Sequence, residues 1–449
     1  MKQLSLFPEW EELETLKTRN EVLPDSIRQR LEIKFNPVMQ EDLRLGQLVS
    51  YAGNKSIPLL RLYRYKEAFS FQLVQEFIKR FNLTEKDYFF DPFCGMGTTL
   101  FTAMQHPLSA VGIDKLPIGA FIASTLPLFL FIEPDVLSTT FAELKSMVSR
   151  AELGEVAGDV SIMKQAFSEE MLLLLRQWKG AINTLELPLK DIFLLLFLAI
   201  LEPCSYTTKD GQFLRLNKDK QIPNLEEILQ QKVKEAEAYI ITLRTLWKNK
   251  KYLPRPSVQI ADARDLSTVN FEKQPTAIIT SPPYGNRYDY TRTYSLELCF
   301  NFVKNFAELK ALRLGVLRSH IESKVSETDQ PPHGAVAEVV ELLRQQGKNL
   351  NNPRIPDMIT AYFVDMGKVI NEWARVLAPG AKVAMVVDNV RFAGELIPVD
   401  LILSEMAETV GFKVNQIIIA RYKGNSSQQM GKYGLIPVRE SIITWEKYR

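Results

Sequence analysis

A short apolar run that ends in the turn 280–284 (Thr-Ser-Pro-Pro-Tyr) is the part of the sequence best suited to chemistry. Residues 277–279 (Ala-Ile-Ile) predict a buried strand, and the two prolines that follow fix φ at roughly −65° and remove two backbone N–H donors. The carbonyl oxygens of the turn stay free to accept hydrogen bonds, with a hydroxyl before them and an aromatic ring after them. Such acceptors suit the exocyclic amino group of a planar base that stacks on Tyr284. The pattern therefore predicts chemistry on the amino nitrogen of a nucleobase.

A second motif, about 190 residues upstream, indicates a nucleotide-type site. Residues 88–90 (Tyr-Phe-Phe) predict a strand end, and the loop 91–99 (DPFCGMGTT) follows it. Gly95 and Gly97 permit a tight turn and a close backbone approach to a ligand. A strand, a glycine loop and a helix in this order are typical of nucleotide sites, although Leu100 occupies the third position of a complete G-x-G-x-x-G. No lysine follows the glycines as a P-loop requires, so a triphosphate is not expected.

The next predicted strand, residues 110–114 (AVGID), ends on a carboxylate. Asp114 lies 23 residues beyond Asp91, near the spacing of about 20 residues at which an acid reaches ribose hydroxyls. The alternative for Asp114 is a solvated strand end.

The loop 91–99 and the turn 280–284 resemble motifs I and IV of the amino-methylating DNA methyltransferases, which use S-adenosylmethionine to methylate cytosine N4 or adenine N6. Residues 65–70 (YKEAFS) are similar to the cofactor-capping motif X of that family, and the resemblance extends to the carboxyl-terminal quarter. The Ser-Pro-Pro-Tyr form is more typical of the cytosine-N4 branch, whereas Asp-Pro-Pro-Tyr and Asn-Pro-Pro-Tyr are commoner in adenine enzymes. The resemblance implies a site-specific enzyme that methylates cytosine N4 in duplex DNA, by direct in-line transfer to a flipped base, as part of a restriction–modification system.

The resemblance also implies roles for individual residues. The catalytic residues are Ser281, Pro282, Pro283 and Tyr284. The residues that would bind S-adenosyl-L-methionine are Lys66, Phe69, Ser70, Asp91, Pro92, Phe93, Cys94, Gly95, Gly97, Thr98, Thr99, Asp114 and Asp262. Asp91 would lie near the methionine part, and Asp262 would contact the adenine amino group in competition with Asp265. Residues 66–70 would close over the carboxylate end, unless they form a plain helix cap.

Two polar stretches are candidates for contact with double-stranded DNA. Residues 286–292 (NRYDYTR) interleave aromatic and basic groups that could brace the vacated base stack and hold phosphates; the alternative is a surface loop tied by Arg–Asp pairs. Residues 421–429 (RYKGNSSQQ) are rich in donors to phosphates and base edges. The predicted contacts are Arg287, Tyr288, Tyr290, Arg292, Arg421, Asn425 and Gln428.

Several alternative functions remain open. Adenine-N6 methylation is the first alternative to cytosine-N4 methylation, because the same hydrogen-bond acceptors can bind either amino group. An RNA base methyltransferase and a non-catalytic cofactor-binding module are the further alternatives. Pro203-Cys204 and residues 388–390 (Asp-Asn-Val) resemble parts of the cytosine-C5 methyltransferases. Their spacing does not match that family, and the turn at Ser281 would go unexplained. Cys204 is therefore interpreted as a small buried residue.

Composition limits the class of protein. A net charge of +2 gives no global basic signature, so a DNA-binding surface would have to be local. The three cysteines and three histidines lack metal-ligand spacing, and no metal is expected. The cysteine usage fits a reducing cytoplasm, and the apolar runs 126–132 and 192–201 are too short to span a bilayer. We expect a cytoplasmic protein whose partners are DNA and a cognate restriction endonuclease, with no membrane partner.

At 449 residues, a core fold with insertions is expected. The strand and helix signals predict an α/β chain with helical insertions, and the resemblance implies a Rossmann-like methyltransferase fold. The resemblance also implies a mostly parallel seven-stranded sheet, which would end in a C-terminal antiparallel hairpin. The predicted parts are an N-terminal extension (1–50), the first part of the core (51–124), a helical insertion and candidate DNA clamp (125–255), the core with the catalytic turn (256–299), a second insertion or lid (300–358) and the last part of the core (359–449).

Overall fold

The computed structural model of the protein describes residues 26–210, 213–248, 253–424 and 437–448. Its strands are β1 (Met39–Glu41), β2 (Tyr88–Asp91), β3 (Ser109–Asp114), β4 (Thr207–Asp210), β5 (Phe213–Leu216), β6 (Ser257–Ile260), β7 (Ala277–Thr280), β8 (Lys382–Asp388), β9 (Val390–Phe392), β10 (Glu395–Ile397), β11 (Phe412–Lys423) and β12 (Val438–Lys447). Its α-helices of at least eight residues are Ile27–Phe35, Phe71–Arg80, Thr98–Gln105, Pro117–Thr125, Pro134–Met147, Glu169–Asn183, Leu189–Leu198, Leu225–Trp247, Phe306–Gly315, Gly334–Gln345, Ile355–Val376 and Val399–Thr409.

Eight strands form the central sheet in the order β1-β11-β12-β8-β7-β2-β3-β6. The pairs from β8 through β7, β2 and β3 to β6 are parallel, and so is the pair of β1 with β11. Strand β12 runs antiparallel to both of its neighbours, β8 and β11. Chain order reverses between β2 and β7, which creates the kind of crevice at the carboxyl ends of parallel strands where ligands of α/β proteins bind.

The predicted fold class and the predicted C-terminal antiparallel hairpin are confirmed. The sheet has eight strands instead of the predicted seven, because Met39–Glu41 adds a parallel edge strand beside β11. This strand has only three residues and none is buried, so it lacks the apolar pattern by which a strand is recognised in a sequence.

Both faces of the sheet are covered by helices, as β8 illustrates. Val383, Met385 and Val387 pack into one core with the helix Ile355–Val376, and Ala384 and Val386 pack into another with the helix Phe71–Arg80. Continuous burial on both faces is typical of a parallel sheet. The sheet is therefore a rigid support for the residues at its carboxyl edge.

The two predicted insertions, 125–255 and 300–358, differ in their structure. Residues 125–255 contain helices and a small antiparallel hairpin of β4 and β5, which the helical pattern did not predict. In 300–358, the helix Gly334–Gln345 buries its apolar side in the core around the helix Ile355–Val376. That part of the predicted lid packs on the helix Ile355–Val376, because its valines and leucine recur at helical spacing. The domain boundaries themselves stay predictions.

No single helix among the described residues is long and apolar enough to cross a membrane. The segments Pro117–Phe131 and Pro134–Arg150 reach the required length and composition only as a pair, and they meet at 114°.

Candidate active site

The glycine loop after β2 is hydrogen-bonded to the acid at the end of β3. Gly95 and Gly97 have φ values of 49° and 81°, a region that glycine enters without strain. The Gly95 N–H donates to Asp114 Oδ2 at 2.8 Å. A Cβ on Gly97 would lie 2.8 Å from the Cβ of Ala123, so this glycine is required by packing behind the loop.

A first cavity of about 690 Å³ opens at the carboxyl ends of β2, β3, β6 and β7. Its lining combines the glycine loop, three acids, two basic residues and apolar side chains: Tyr65, Glu67, Pro92, Phe93, Gly95, Asp114, Lys115, Leu116, Ala261, Asp262, Ala263, Arg264, Ser281, Pro283, Tyr290, Val316 and Leu317.

Asp114 is the carboxylate best placed to hold hydroxyl groups in this cavity. Its two oxygens accept from the backbone N–H groups of Gly95 and Leu116, at 2.8 and 2.7 Å. Burial raises the pKa of Asp114 to about 6 in spite of these two bonds. Each carboxylate oxygen keeps a free lone pair, so Asp114 can accept further hydrogen bonds from a ligand.

Asp262 also faces the first cavity, whereas Asp265 is exposed. Arg264 donates to both oxygens of Asp262, at 2.9 and 2.7 Å, and Lys115 lies 3.5 Å from it. Burial acts to raise the pKa of Asp262, but the hydrogen bonds and charge of Arg264 outweigh it and hold the pKa below its usual value. Asp262 is therefore an acceptor at the cavity wall, as an adenine amino group would require.

Asp91 connects the two sequence motifs beneath the cavities. Its Oδ1 accepts from the Thr280 hydroxyl at 2.6 Å and from the Phe93 N–H at 3.1 Å. Burial raises the pKa of Asp91 to about 6. This acid does not line the first cavity; it fixes the end of β2 to the end of β7.

A second cavity of about 970 Å³ lies beside the turn 280–284. It is lined by Val49, Ser50, Lys66, Glu67, Ala68, Phe69, Ser281, Pro282, Tyr284, Asn286, Tyr288, Tyr290, Asp388, Arg421, Lys423 and Glu440. Glu67, Ser281 and Tyr290 line both cavities. These three residues therefore form a wall that is common to the two cavities.

The side chain of Tyr284 contacts two charged residues in the second cavity. The Lys423 ammonium lies 5.6 Å from the ring centroid, over one face of the ring. The Tyr284 hydroxyl donates to Glu440 Oε1 at 3.1 Å. Burial, followed by the charge of Glu440, raises the pKa of Tyr284 well above its usual value, so the phenol stays protonated.

Charged side chains surround that hydroxyl at the ends of β8, β11 and β12. Glu440 pairs with Arg421 and, at 2.7 Å, with Lys423, whose ammonium also lies 3.3 Å from Asp388. Burial raises the pKa of Asp388 to about 7 against the opposing charge of Lys423. The cluster follows from the register of the antiparallel strands, which places Glu440 opposite both Asp388 and Arg421.

The other predicted cofactor residues lie outside the first cavity. Lys66 and Phe69 line the second cavity, and the Ser70 hydroxyl accepts from the Leu73 N–H as the cap of the helix Phe71–Arg80. Cys94, Gly97, Thr98 and Thr99 belong to the loop 91–99, and all four are buried.

Some of the predicted DNA contacts line the second cavity, and the others do not. Tyr288, Tyr290 and Arg421 line the second cavity. Arg287 lies over the Phe392 ring, 5.8 Å from its centroid, and Arg292 pairs with Glu322 and, at 3.3 Å, with Asp289. Asn425 and Gln428 lie outside the described residues.

Sequence reasoning gave no individual role to several residues of the two cavities, although Lys423 lies within the candidate DNA-contact stretch 421–429. These are Glu67, Lys115, Arg264, Asp388, Lys423 and Glu440. A usable signal existed for Asp388, which ends an apolar strand as Asp114 does. Glu440 gave none, because its position depends on how β12 pairs with β8 and β11. Within the described residues, no group of three or more His, Cys, Asp or Glu side chains could hold a metal ion.

Comparisons with known proteins identify the family. The chain is 35% identical to the type II methyltransferase M.BsoBI of Geobacillus stearothermophilus, over 96% of this chain and 94% of that one. It is 34% identical to the type II methyltransferase M.AvaI of a Nostoc species, over 93% of this chain and 92% of that one. The rRNA methyltransferase AviRa of Streptomyces viridochromogenes is a distant structural match, with 13% identity and a TM-score of 0.30 over 85% of this chain and 86% of that one. No protein-family profile matches the chain.

The chain belongs to the type II DNA methyltransferases, the modification enzymes of restriction–modification systems. It is an S-adenosylmethionine-dependent methyltransferase that acts on DNA, and the resemblance found in its sequence motifs is confirmed. The first cavity fits this cofactor, because it offers acceptors for ribose hydroxyls and an adenine amino group between apolar walls.

Replacing Cys204 by alanine is expected to leave methyl transfer within about twofold of the wild type. Cys204 is buried, lines neither cavity, and burial raises the pKa of its thiol to about 12, so it is not a reactive thiolate. The assay is incorporation of labelled methyl groups into duplex DNA, alongside a thermal unfolding midpoint. Loss of transfer in a normally folded variant would contradict this and revive a cytosine-C5 mechanism.

Proposed function

We propose that the enzyme transfers the methyl group to the exocyclic N4 amino group of a cytosine flipped out of duplex DNA. The observation that carries the proposal is the position of Ser281, in the wall shared by the two cavities and at the start of a Ser-Pro-Pro-Tyr turn. The serine form of the turn, which is more typical of the cytosine-N4 branch, supports cytosine over adenine. The cognate restriction endonuclease is the expected partner in the cell.

The residues of the chain divide the work of the reaction. When bound, S-adenosylmethionine supplies an electrophilic methyl group; Asp114 and Asp262 would hold its ribose and adenine. The Ser281 hydroxyl and the Pro282 carbonyl accept from the amino hydrogens of the base, which draws the nitrogen lone pair out of conjugation with the ring. Tyr284 stacks on the base, an interaction of about 1–3 kcal/mol. Holding the nitrogen at near-attack distance supplies a large share of the rate.

Entry of the base requires that it leave the helix, at a cost of a few kcal/mol. Tyr288 and Tyr290, whose ring centroids are 4.7 Å apart, lie at the second cavity and present aromatic surface to an incoming base. The residues 286–292 that follow the catalytic turn would then contact the strand from which the base is taken.

The product identifies the target atom. Purified protein is incubated with methyl-labelled S-adenosylmethionine and unmethylated duplex DNA, and the DNA is digested to nucleosides for mass spectrometry. N4-methylcytosine is the expected product. N6-methyladenine would contradict the cytosine assignment, and label in RNA but not in DNA would contradict the substrate assignment.

A further inference from the structure

Three oxygen atoms form a chain that leads from the wall between the two cavities to a buried acid. The Ser281 hydroxyl lies 3.3 Å from the Tyr284 hydroxyl as donor, and the Tyr284 hydroxyl donates to Glu440 Oε1 at 3.1 Å. The Glu440 side chain is only 2% exposed. The serine hydroxyl can instead donate to the Val386 carbonyl, also at 3.3 Å, so its proton has two resting positions. Such distances are long for O–H···O bonds, and active-site bonds commonly shorten when substrate binds.

Methylation of an amino group leaves a proton that must be removed. The nitrogen lone pair forms the N–CH₃ bond while the S–CH₃ bond breaks, and the electrons of that bond remain on sulfur. The nitrogen carried two hydrogens and becomes cationic. It must lose one of the two to give the neutral methylamino product.

We propose that Glu440 is the final acceptor of this proton and acts through Tyr284 and Ser281. The inference rests on the amino-group transfer proposed above. The amino proton passes to Ser281 Oγ, the serine proton passes to the Tyr284 oxygen, and the tyrosine proton passes to Glu440 Oε1. Serine and tyrosine end unchanged, and the carboxyl group returns its proton to solvent through the second cavity, which it lines. Glu440 is thus a positioning residue that does not itself touch the base.

The direction of the two hydrogen bonds supports this path. Serine donates to tyrosine and tyrosine donates to the carboxylate, so both are already oriented for transfer away from the base. Burial raises the pKa of Tyr284 well above its usual value, so tyrosine gives up its own proton only as it receives the serine proton.

Charged groups on the two strands beside β12 surround Glu440. Arg421 and Lys423 on β11 pair with it, and Asp388 on β8 shares the Lys423 ammonium. The two cations outnumber the single charge of Glu440, while burial raises the pKa of Asp388 to about 7 and reduces the competing negative charge.

The test compares Tyr284→Phe and Glu440→Gln with the wild type in single-turnover methyl transfer to duplex DNA. Tyr284→Phe keeps the stacking ring and removes only the relay hydroxyl. Each variant is expected to be slower by about 100-fold, the scale of a lost acid–base group. The double variant is expected to be no slower than the slower single variant, because groups that act as one unit are not additive.

Two further measurements separate a relay from a structural role. The rate of Tyr284→Phe is expected to rise with pH more steeply than the wild-type rate, since hydroxide must replace the missing acceptor path. Calorimetric titration of S-adenosylmethionine and the thermal midpoint are expected to stay near wild-type values in Tyr284→Phe. Glu446→Gln, on the same strand β12 but distant from both cavities, is the matched control and should leave the rate unchanged.

The outcomes are distinct. A Tyr284→Phe rate within threefold of the wild type, or additive losses in the double variant, overturns the relay and leaves the proposed function standing. Failure of the wild-type enzyme to methylate any amino group of DNA overturns both.

Discussion

Tyr284→Ala is expected to lower the rate of methyl transfer by at least about 100-fold and to leave S-adenosylmethionine binding nearly unchanged. The variant removes the stacking surface for the base, about 1–3 kcal/mol, and with it the positioning on which near-attack geometry depends, where a misplacement of about 1 Å costs about 100-fold. Tyr284 lines the second cavity but not the first, so the cofactor loses no contact with it.

Rate and binding are measured separately for this variant. Single-turnover methyl transfer to duplex DNA gives the first, and calorimetric titration of the cofactor gives the second. Tyr448→Ala is the matched control, because Tyr448 is 73% exposed. Wild-type turnover in Tyr284→Ala would rule out the stacking role.

Asp114→Asn is expected to weaken S-adenosylmethionine binding by about 10- to 150-fold. A hydrogen bond to a charged acceptor contributes about 1.5–3 kcal/mol, and Asp114 is the acid that also holds the Gly95 N–H of the loop. Asp135→Asn, at an exposed position of the helix Pro134–Met147, provides the control. Unchanged affinity in Asp114→Asn would contradict the assignment of the first cavity.

The same residue predicts a pH dependence of cofactor binding. Burial raises the pKa of Asp114 to about 6, so the ligand-free carboxylate accepts a proton as the pH falls through that value. Affinity is expected to be constant above this region and to fall below it, because the protonated acid loses the charge that strengthens its bonds to hydroxyls. The fall due to Asp114 should be absent in Asp114→Asn. This variant separates Asp114 from Asp91, whose pKa is also raised to about 6 but which lies outside the cavity.

Local sequence patterns were sufficient for the parallel half of the sheet and for the two motifs. Each strand there ends in a recognisable residue, such as Asp91, Asp114 or Thr280, and parallel strands bring their carboxyl ends to one edge. The strand-by-strand pattern thus predicts which residues meet, even though they are up to 190 residues apart in the chain.

The lining of the second cavity was less predictable from the sequence, for a physical reason. Glu440 lies in a strand that runs against its neighbours, and only the register of β12 with β8 places it beside Asp388. Register is set by side-chain packing over the whole ladder, which no short motif encodes. The edge strand Met39–Glu41 was missed because three unburied residues have no detectable periodicity.

The shared wall formed by Glu67, Ser281 and Tyr290 has a consequence for inhibition. A single molecule that joins an adenosine unit to a pyrimidine by a short tether would occupy both cavities across Ser281. Binding of the second half would then be intramolecular, at an effective concentration in the millimolar range for a short tether. Such a compound would discriminate between this enzyme and methyltransferases that bind the same cofactor but receive no base beside it.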